Sequence, residues 1–175
     1  MLFPYSERNL ILTGYTGPNQ PAVGRLVAER LKVPFVNIEF RIEEQAELPV
    51  HEIRARFGEA HLKRLETEVV AESLLRRGAV IRVGGTILTH GDNLLRLSET
   101  GPVICLVAAL GAVLRRQHLS MGARFHDPNE RAQALGVVRR EWAARNLPGV
   151  HVLDTTYLSD EEIIHETIAI WRKLA

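Results

Sequence analysis

Residues 14–22 read GYTGPNQPA and directly follow a short apolar run, NLILT, at 9–13. A strand that runs through a glycine-containing turn into a helix is a setting in which backbone N–H groups close on phosphate oxygens. The working form of such a loop is GxxxxGK[ST]. Its glycines let the main chain approach, its Lys reaches the terminal phosphates and its hydroxyl binds Mg²⁺. Gly14 and Gly17 keep the glycine-containing turn, but Asn19 stands at the second glycine of the pattern, Gln20 at the lysine and Pro21 at the hydroxyl. Asn tolerates a left-handed φ, so the turn survives that exchange. The charge and the metal ligand do not survive theirs. Pro18 and Pro21 also lack an N–H, which leaves a main-chain anion site fewer donors. Taken alone, the segment reads as a degenerate phosphate loop or as a plain strand-to-helix turn.

A second group of candidate residues is basic. From 111 to 149 there are seven arginines, Arg124 and Arg140 among them, against Asp127, Glu130 and Glu141, while the whole chain carries only +1. Such a segment can hold a polyphosphate or another anion, or it is a solvated helix face. Aromatic residues are not interleaved with it as a single-strand stacking surface requires, so no nucleic acid is expected. Arg82 is a different case, because it lies in the run AVIRV at 79–83. A central parallel strand is normally apolar on both faces, and an unpaired charge buried there is costly. Arg82 therefore reaches the vacated lysine position, or pairs with Glu39, or lies at the rim and points to water. The histidines show no metal-ligand spacing such as HExxH, so no metal site is expected; His51, His61, His90, His118 and His126 are expected at the surface. Cys105, the single cysteine, and Trp142 and Trp171 read as core residues.

The elements that must position these residues alternate. Strands are expected at 9–13, 34–38, 79–83, 103–107 and 150–154, and helices at 21–31, 49–57, 61–77, 93–99, 111–119, 129–144 and 160–173. Ser159 with Glu162 three residues on reads as a capping box for the last of these. Alternation of this kind implies a parallel sheet covered on both faces. No linker or repeat divides residues 1–175, which read as a single domain of ordinary composition, 46% hydrophobic and 25% charged. With no apolar run of about 18 residues or more and no secretory pattern at the start, no membrane association is expected and a cytoplasmic location is. Residues 111–129 hold few large apolar side chains and are expected to be the most mobile part.

Taken together, the chain resembles the shikimate kinase family from Asn9 to about Ile170. The matching blocks are Val23-Gly24-Arg25-Leu26, Ala28-Glu29-Arg30-Leu31, Pro34-Phe35-Val36, Phe57-Gly58-Glu59-Ala60 with Glu66, the strand ending in Gly84-Gly85, and Asp154-Thr155 followed by Ser159-Asp160-Glu161-Glu162. The resemblance implies a P-loop NTPase-like α/β three-layer sandwich with a five-stranded parallel sheet, and an ATP- and Mg²⁺-dependent kinase. It puts Gly14, Gly17, Asn19, Gln20 and, as lid arginine, Arg124 on the nucleotide side. On the substrate side it puts Asn37 and Glu39 at the family's paired aspartates, one serving the metal and one the substrate hydroxyls. Lys63 falls at its substrate-carboxylate arginine, Gly84-Gly85-Thr86 at its triple glycine, and Arg140 at a late substrate-binding arginine. Arg82 falls where the family has a small residue.

Losing one preorganised donor costs about 10²–10³ in rate, and here the Lys, the metal hydroxyl and one metal carboxylate are all replaced. A protein that has lost catalysis and acts as a binding or regulatory module is therefore expected first, with no bound cofactor. An active small-molecule phosphotransferase with a non-standard site, drawing charge from Arg82, Lys63 or Arg124 and using ATP and Mg²⁺, is the alternative. A structural or interaction protein without a small ligand is the third reading. The expected partner is a small anion or another protein.

Overall fold

The computed structural model describes residues 7–18 and 20–175. Strand β1 (Leu10–Gly14) is buried along its whole length, which a run of LILTG favours over any exposed placement. It lies in the middle of a five-stranded sheet of order β2-β3-β1-β4-β5, with β2 at Phe35–Asn37, β3 at Val80–Arg82, β4 at Val103–Val107 and β5 at Val150–Asp154. Every pairing is parallel.

Alternation along the strands assigns the two faces. Leu10, Leu12, Val80, Ile104 and Leu106 pack with α1 (Gln20–Leu31) and α9 (Asp160–Leu174), through Val23, Val27, Ile163, Ile164 and Ile168. Ile11, Val36, Ile81 and Val103 pack on the opposite face with α2 (Ile38–Ala46), α3 (Val50–Phe57), α4 (Glu59–Ser73) and α6 (Asn93–Thr100). A third, smaller cluster caps the carboxyl ends of the strands. It joins Tyr15 and Ala108 to Ala112 and Val113 of α7 (Leu110–Met121) and Val138 of α8 (Pro128–Glu141). The result is a three-layer α/β sandwich with α7 and α8 placed over the end where parallel sheets bind ligands. No described helix is long and apolar enough to cross a membrane.

Three departures from the sequence expectations matter. Helix α2 occupies 38–46, where no helix was expected. Asn37 starts it, because its Oδ1 accepts from Glu39 N at 3.1 Å and Phe40 N at 3.5 Å. A four-residue helix, α5 (Gly85–Leu88), follows β3 directly. Helix α4 stops at Ser73 rather than at 77, and the chain tightens into turns with Leu75 N on Glu72 O and Arg76 N on Ser73 O. Asn9 explains why it can stop early. Its amide donates to Arg76 O and accepts from Ala79 N, both at 2.9 Å, so the side chain ties the exit of α4 to the entry of β3. Ser159 caps α9 as expected, accepting from Glu162 N at 3.2 Å.

Candidate functional site

The loop after β1 is shaped by glycine and then filled by its neighbours. Gly14 has φ +95°, and a Cβ there would stand 2.1 Å from Leu106 O, so no other residue fits. Tyr15 N donates to Leu106 O at 2.8 Å, and its own carbonyl accepts from Trp142 Nε1 at 2.7 Å. Arg116 of α7 closes the loop from the other side. Its Nη1 donates to Thr16 O at 2.9 Å and its Nη2 to Thr155 O at 2.8 Å, while a Cβ on Gly17 would stand 3.0 Å from Arg116 Cβ. Main-chain carbonyls of two loops thus engage this guanidinium. Beside it lies a cavity of about 530 Å³ whose wall includes Thr16, Gly17, Pro18, Arg116 and Asp160. The expectation for Asn19 falls outside the described residues, as does that for the side chain of Gln20. Arg124 sits exposed on a 3₁₀ turn (Gly122–His126) and lines none of the cavities described here.

At the end of β3 the structure chooses among the three options for Arg82. The residue is 5% exposed, so it is not at the rim. Its Nη2 lies 2.9 Å from Glu141 Oε2, so Glu141 is a bonded partner, while Arg82 acts on the expected first partner, Glu39, through its charge. The reason is the approach of α8. A Cβ on Gly85 would stand 2.5 Å from Glu141 O and 2.6 Å from Arg140 O, so the bare glycine lets the last turn of α8 rest on the backbone after β3. That docking sets the Glu141 carboxylate against Arg82 and turns Arg140 toward the cleft.

Two adjoining cavities open there. One, about 330 Å³, is walled by Glu39, Glu43, His51, Gly84, Arg140 and Glu141. The other, about 580 Å³, is walled by Arg54, Lys63, Glu66, Thr86, His90 and Arg140. Of the expected substrate-side residues, Glu39, Lys63, Gly84 and Arg140 therefore come together, with Arg82 and Gly85 beside them. Asn37 lines neither cavity wall, and its side-chain oxygen caps α2.

The electrostatics of this wall are mixed. Glu39 is exposed, yet partial desolvation at the cleft wall raises its pKa; Arg82 and Arg140 oppose the shift, and Glu141 and Glu43 add to it. Burial also raises the pKa of Glu66, against the pull of His90. His90, expected at the surface, is half-buried, and its Nε2 lies 3.0 Å from Glu66 Oε2. Arg54 forms an ion pair with Glu59.

Sequence reasoning missed Glu141, Arg116, Arg54 and the Glu66–His90 pair as site residues. A signal existed for Glu141 alone: a cation in a central strand demands an acid, and Glu141 is the carboxylate that follows Arg139-Arg140.

Comparison with known proteins places the chain. The family model described as shikimate kinase matches residues 21–171. A shikimate kinase of Geobacter sulfurreducens is 35% identical over 173 residues, covering 99% of this chain and 96% of that protein. One of Symbiobacterium thermophilum is 38% identical over 145 residues, covering 78% and 82%. Among solved structures, the shikimate kinase from Acinetobacter baumannii in complex with shikimate superposes with a TM-score of 0.74 at 21% identity, covering 97% of this chain and 95% of that one. That from Bacteroides thetaiotaomicron gives 0.69 at 24%, covering 95% and 97%. At such identities the structural likeness speaks for the fold.

Proposed function

Because this chain belongs to the shikimate kinase family, we propose that it holds a small hydroxylated carboxylate of the shikimate type without phosphorylating it, and so acts as a ligand-binding or regulatory module. One observation carries this reading: the two ends of the cleft differ in what they offer an anion. On the substrate side, Lys63 and Arg140 border an open cavity of about 580 Å³ with Glu39 close by in the adjoining one. On the nucleotide side the groups for Mg·ATP do not fit. Gln20 and Pro21 stand where a Lys and a hydroxyl are needed, Asn37 Oδ1 is committed to a helix cap, and Arg116 is engaged by carbonyls of Thr16 and Thr155.

Phosphoryl transfer depends on positioning and on charge supplied by the metal and a cation. One such donor is worth about 10²–10³ in rate, so the combined loss is severe even where the effects overlap. Lys63 in place of a bidentate arginine also makes carboxylate recognition a matter of point charge, hence weaker in orientation and more sensitive to salt.

Calorimetric titration with shikimate, ATP and Mg·ATP, beside an assay for ADP release, tests the reading. Shikimate binding with no Mg·ATP affinity tighter than about micromolar and no ADP is expected. Tight Mg·ATP binding or ADP formation would instead establish the active kinase, which the relatives named shikimate kinase favour. Heat from neither ligand would leave the interaction protein.

A further inference from the structure

The Glu66–His90 pair stands in the wall of the larger cavity, and the function proposed above makes no use of it. The ring is fixed from both sides. Its Nδ1 lies 3.0 Å from Thr86 O, and since a carbonyl only accepts, Nδ1 carries a hydrogen. Its Nε2 lies 3.0 Å from Glu66 Oε2. Both of these atoms are sealed from solvent, and neither has another hydrogen-bonding partner among the described residues. A ring lone pair facing a bare carboxylate oxygen at that distance is repulsive, and no water can intervene. One proton must therefore sit with the pair, as imidazolium beside carboxylate or as neutral imidazole beside carboxyl. With it the pair has no net charge. Without it the pair carries −1.

We propose that Glu66 and His90 share one proton, and that this proton sets the charge of the cavity so that an anion binds at Lys63 and Arg140 only while the pair holds it. The groups around the pair come from four elements. Glu59 and Lys63 lie on α4 with Glu66, Arg54 and His51 on α3, Arg140 and Glu141 on α8, and Glu39 and Glu43 on α2 across the adjoining cavity. Arg54 is offset by Glu59 and Glu141 by Arg82. Glu39 draws on Arg140 from the adjoining cavity, so the positive charge left to meet a ligand at the larger cavity is that of Lys63 and part of that of Arg140, and a further −1 beside them cancels much of it. Burial favours the protonated carboxyl of Glu66, which supports the shared proton. The ligand class is that of the proposed function, on which the second half of this inference rests: an acid taken up together with a proton.

The two halves are tested separately. Nitrogen-15 NMR of the imidazoles in the free protein reads His90 without any ligand. Hydrogen on Nδ1 across the neutral range is expected, and a neutral ring protonated on Nε2 alone overturns the shared proton. Binding is then measured with shikimate and, as a second probe, inorganic phosphate, between about pH 5 and about pH 9. Affinity should be level at the acid end and weaken by up to about tenfold per pH unit once the pair loses its proton. Glu66→Gln keeps the size and lets an amide N–H face Nε2, so at the alkaline end it should bind as tightly as the unaltered protein does at the acid end. His51→Gln, which changes an imidazole of the adjoining cavity, should leave the profile as it was. A Glu66→Gln variant that still loses affinity with rising pH, or a His51→Gln variant that abolishes the loss, overturns the proposal whatever the absolute affinity. Failure of both probes at every pH overturns the proposed function and the linkage with it, while the tautomer still decides the pair.

Discussion

Arg82 and Glu141 show what a single buried cation demands of its surroundings. Their side chains are 7% and 17% exposed, so each shields the other from the cost of an unpaired charge. Arg82→Ala should therefore lower the unfolding free energy in urea titrations by about 3–5 kcal/mol. Adding Glu141→Ala should cost little more, because both changes remove one interaction; full additivity would show that the pair does not act as a unit. Glu39 predicts a pH effect of the opposite kind to the usual surface carboxylate. Partial desolvation raises its pKa above 4.5 although the residue is exposed, so the folded chain holds this proton slightly more tightly than the unfolded one. That contribution is complete below 4.5 and is lost as pH rises through the folded value. Because solvent screens an exposed group, Glu39→Gln should raise the melting temperature at neutral pH only slightly, with the difference closing under acid conditions, and a variant destabilised at neutral pH would contradict this. The cleft residues were legible one at a time, since each substitution in the loop and after β2 changes a charge or a donor that can be read from the chain. Their pairing was not. Whether Arg82 meets Glu39 or Glu141 depends on how far α8 approaches β3, which no local pattern encodes.

Elements were legible where they are long and periodic, and failed where a single side chain sets the boundary. The run IEFRIEEQA lies between a strand and Pro49, and only the cap made by Asn37 turns it into α2. Likewise, α4 ends early because Asn9, more than sixty residues away in the chain, holds its exit. The Gly84-Gly85 pair, read from the sequence as the end of a strand, has two members that do different work. A Cβ on Gly84 would meet nothing nearer than 3.7 Å, whereas one on Gly85 would strike the backbone of Arg140 and Glu141. Gly85→Ala should consequently cost about 1–3 kcal/mol of stability and weaken shikimate binding by displacing Arg140, while Gly84→Ala should leave stability unchanged. Equal effects of the two changes in thermal melts would show that α8 does not rest on Gly85. Beyond α7, the 3₁₀ turn Gly122–His126 is exposed at each described side chain. Its amides, and those at the end of α7, should exchange with deuterium well before those of β1 and β4. Slow exchange there would remove the basis for a mobile segment at 111–129.

At the scale of the whole molecule, the parallel sheet and its two apolar faces follow from the alternation of short buried runs with amphipathic helices. The third cluster, over the strand ends, is what makes the cleft, and it is built by residues distant in sequence. Tyr15, Val113 and Val138 meet there, and α8 is thereby held against the loop after β1, against Arg82 and against the Gly84-Gly85 turn at once. A ligand that shifts α8 must disturb all three. The two tryptophans make that displacement visible. Trp142 donates to Tyr15 O just beyond one end of β1, and Trp171 donates to Asn9 O just before the other. One strand thus carries an indole at each terminus, the first beside the cleft and the second in the core beneath α9. A Trp171→Phe variant would emit from Trp142 alone, so that its fluorescence colour and quenching become an optical gauge of cleft occupancy, requiring no label and no turnover.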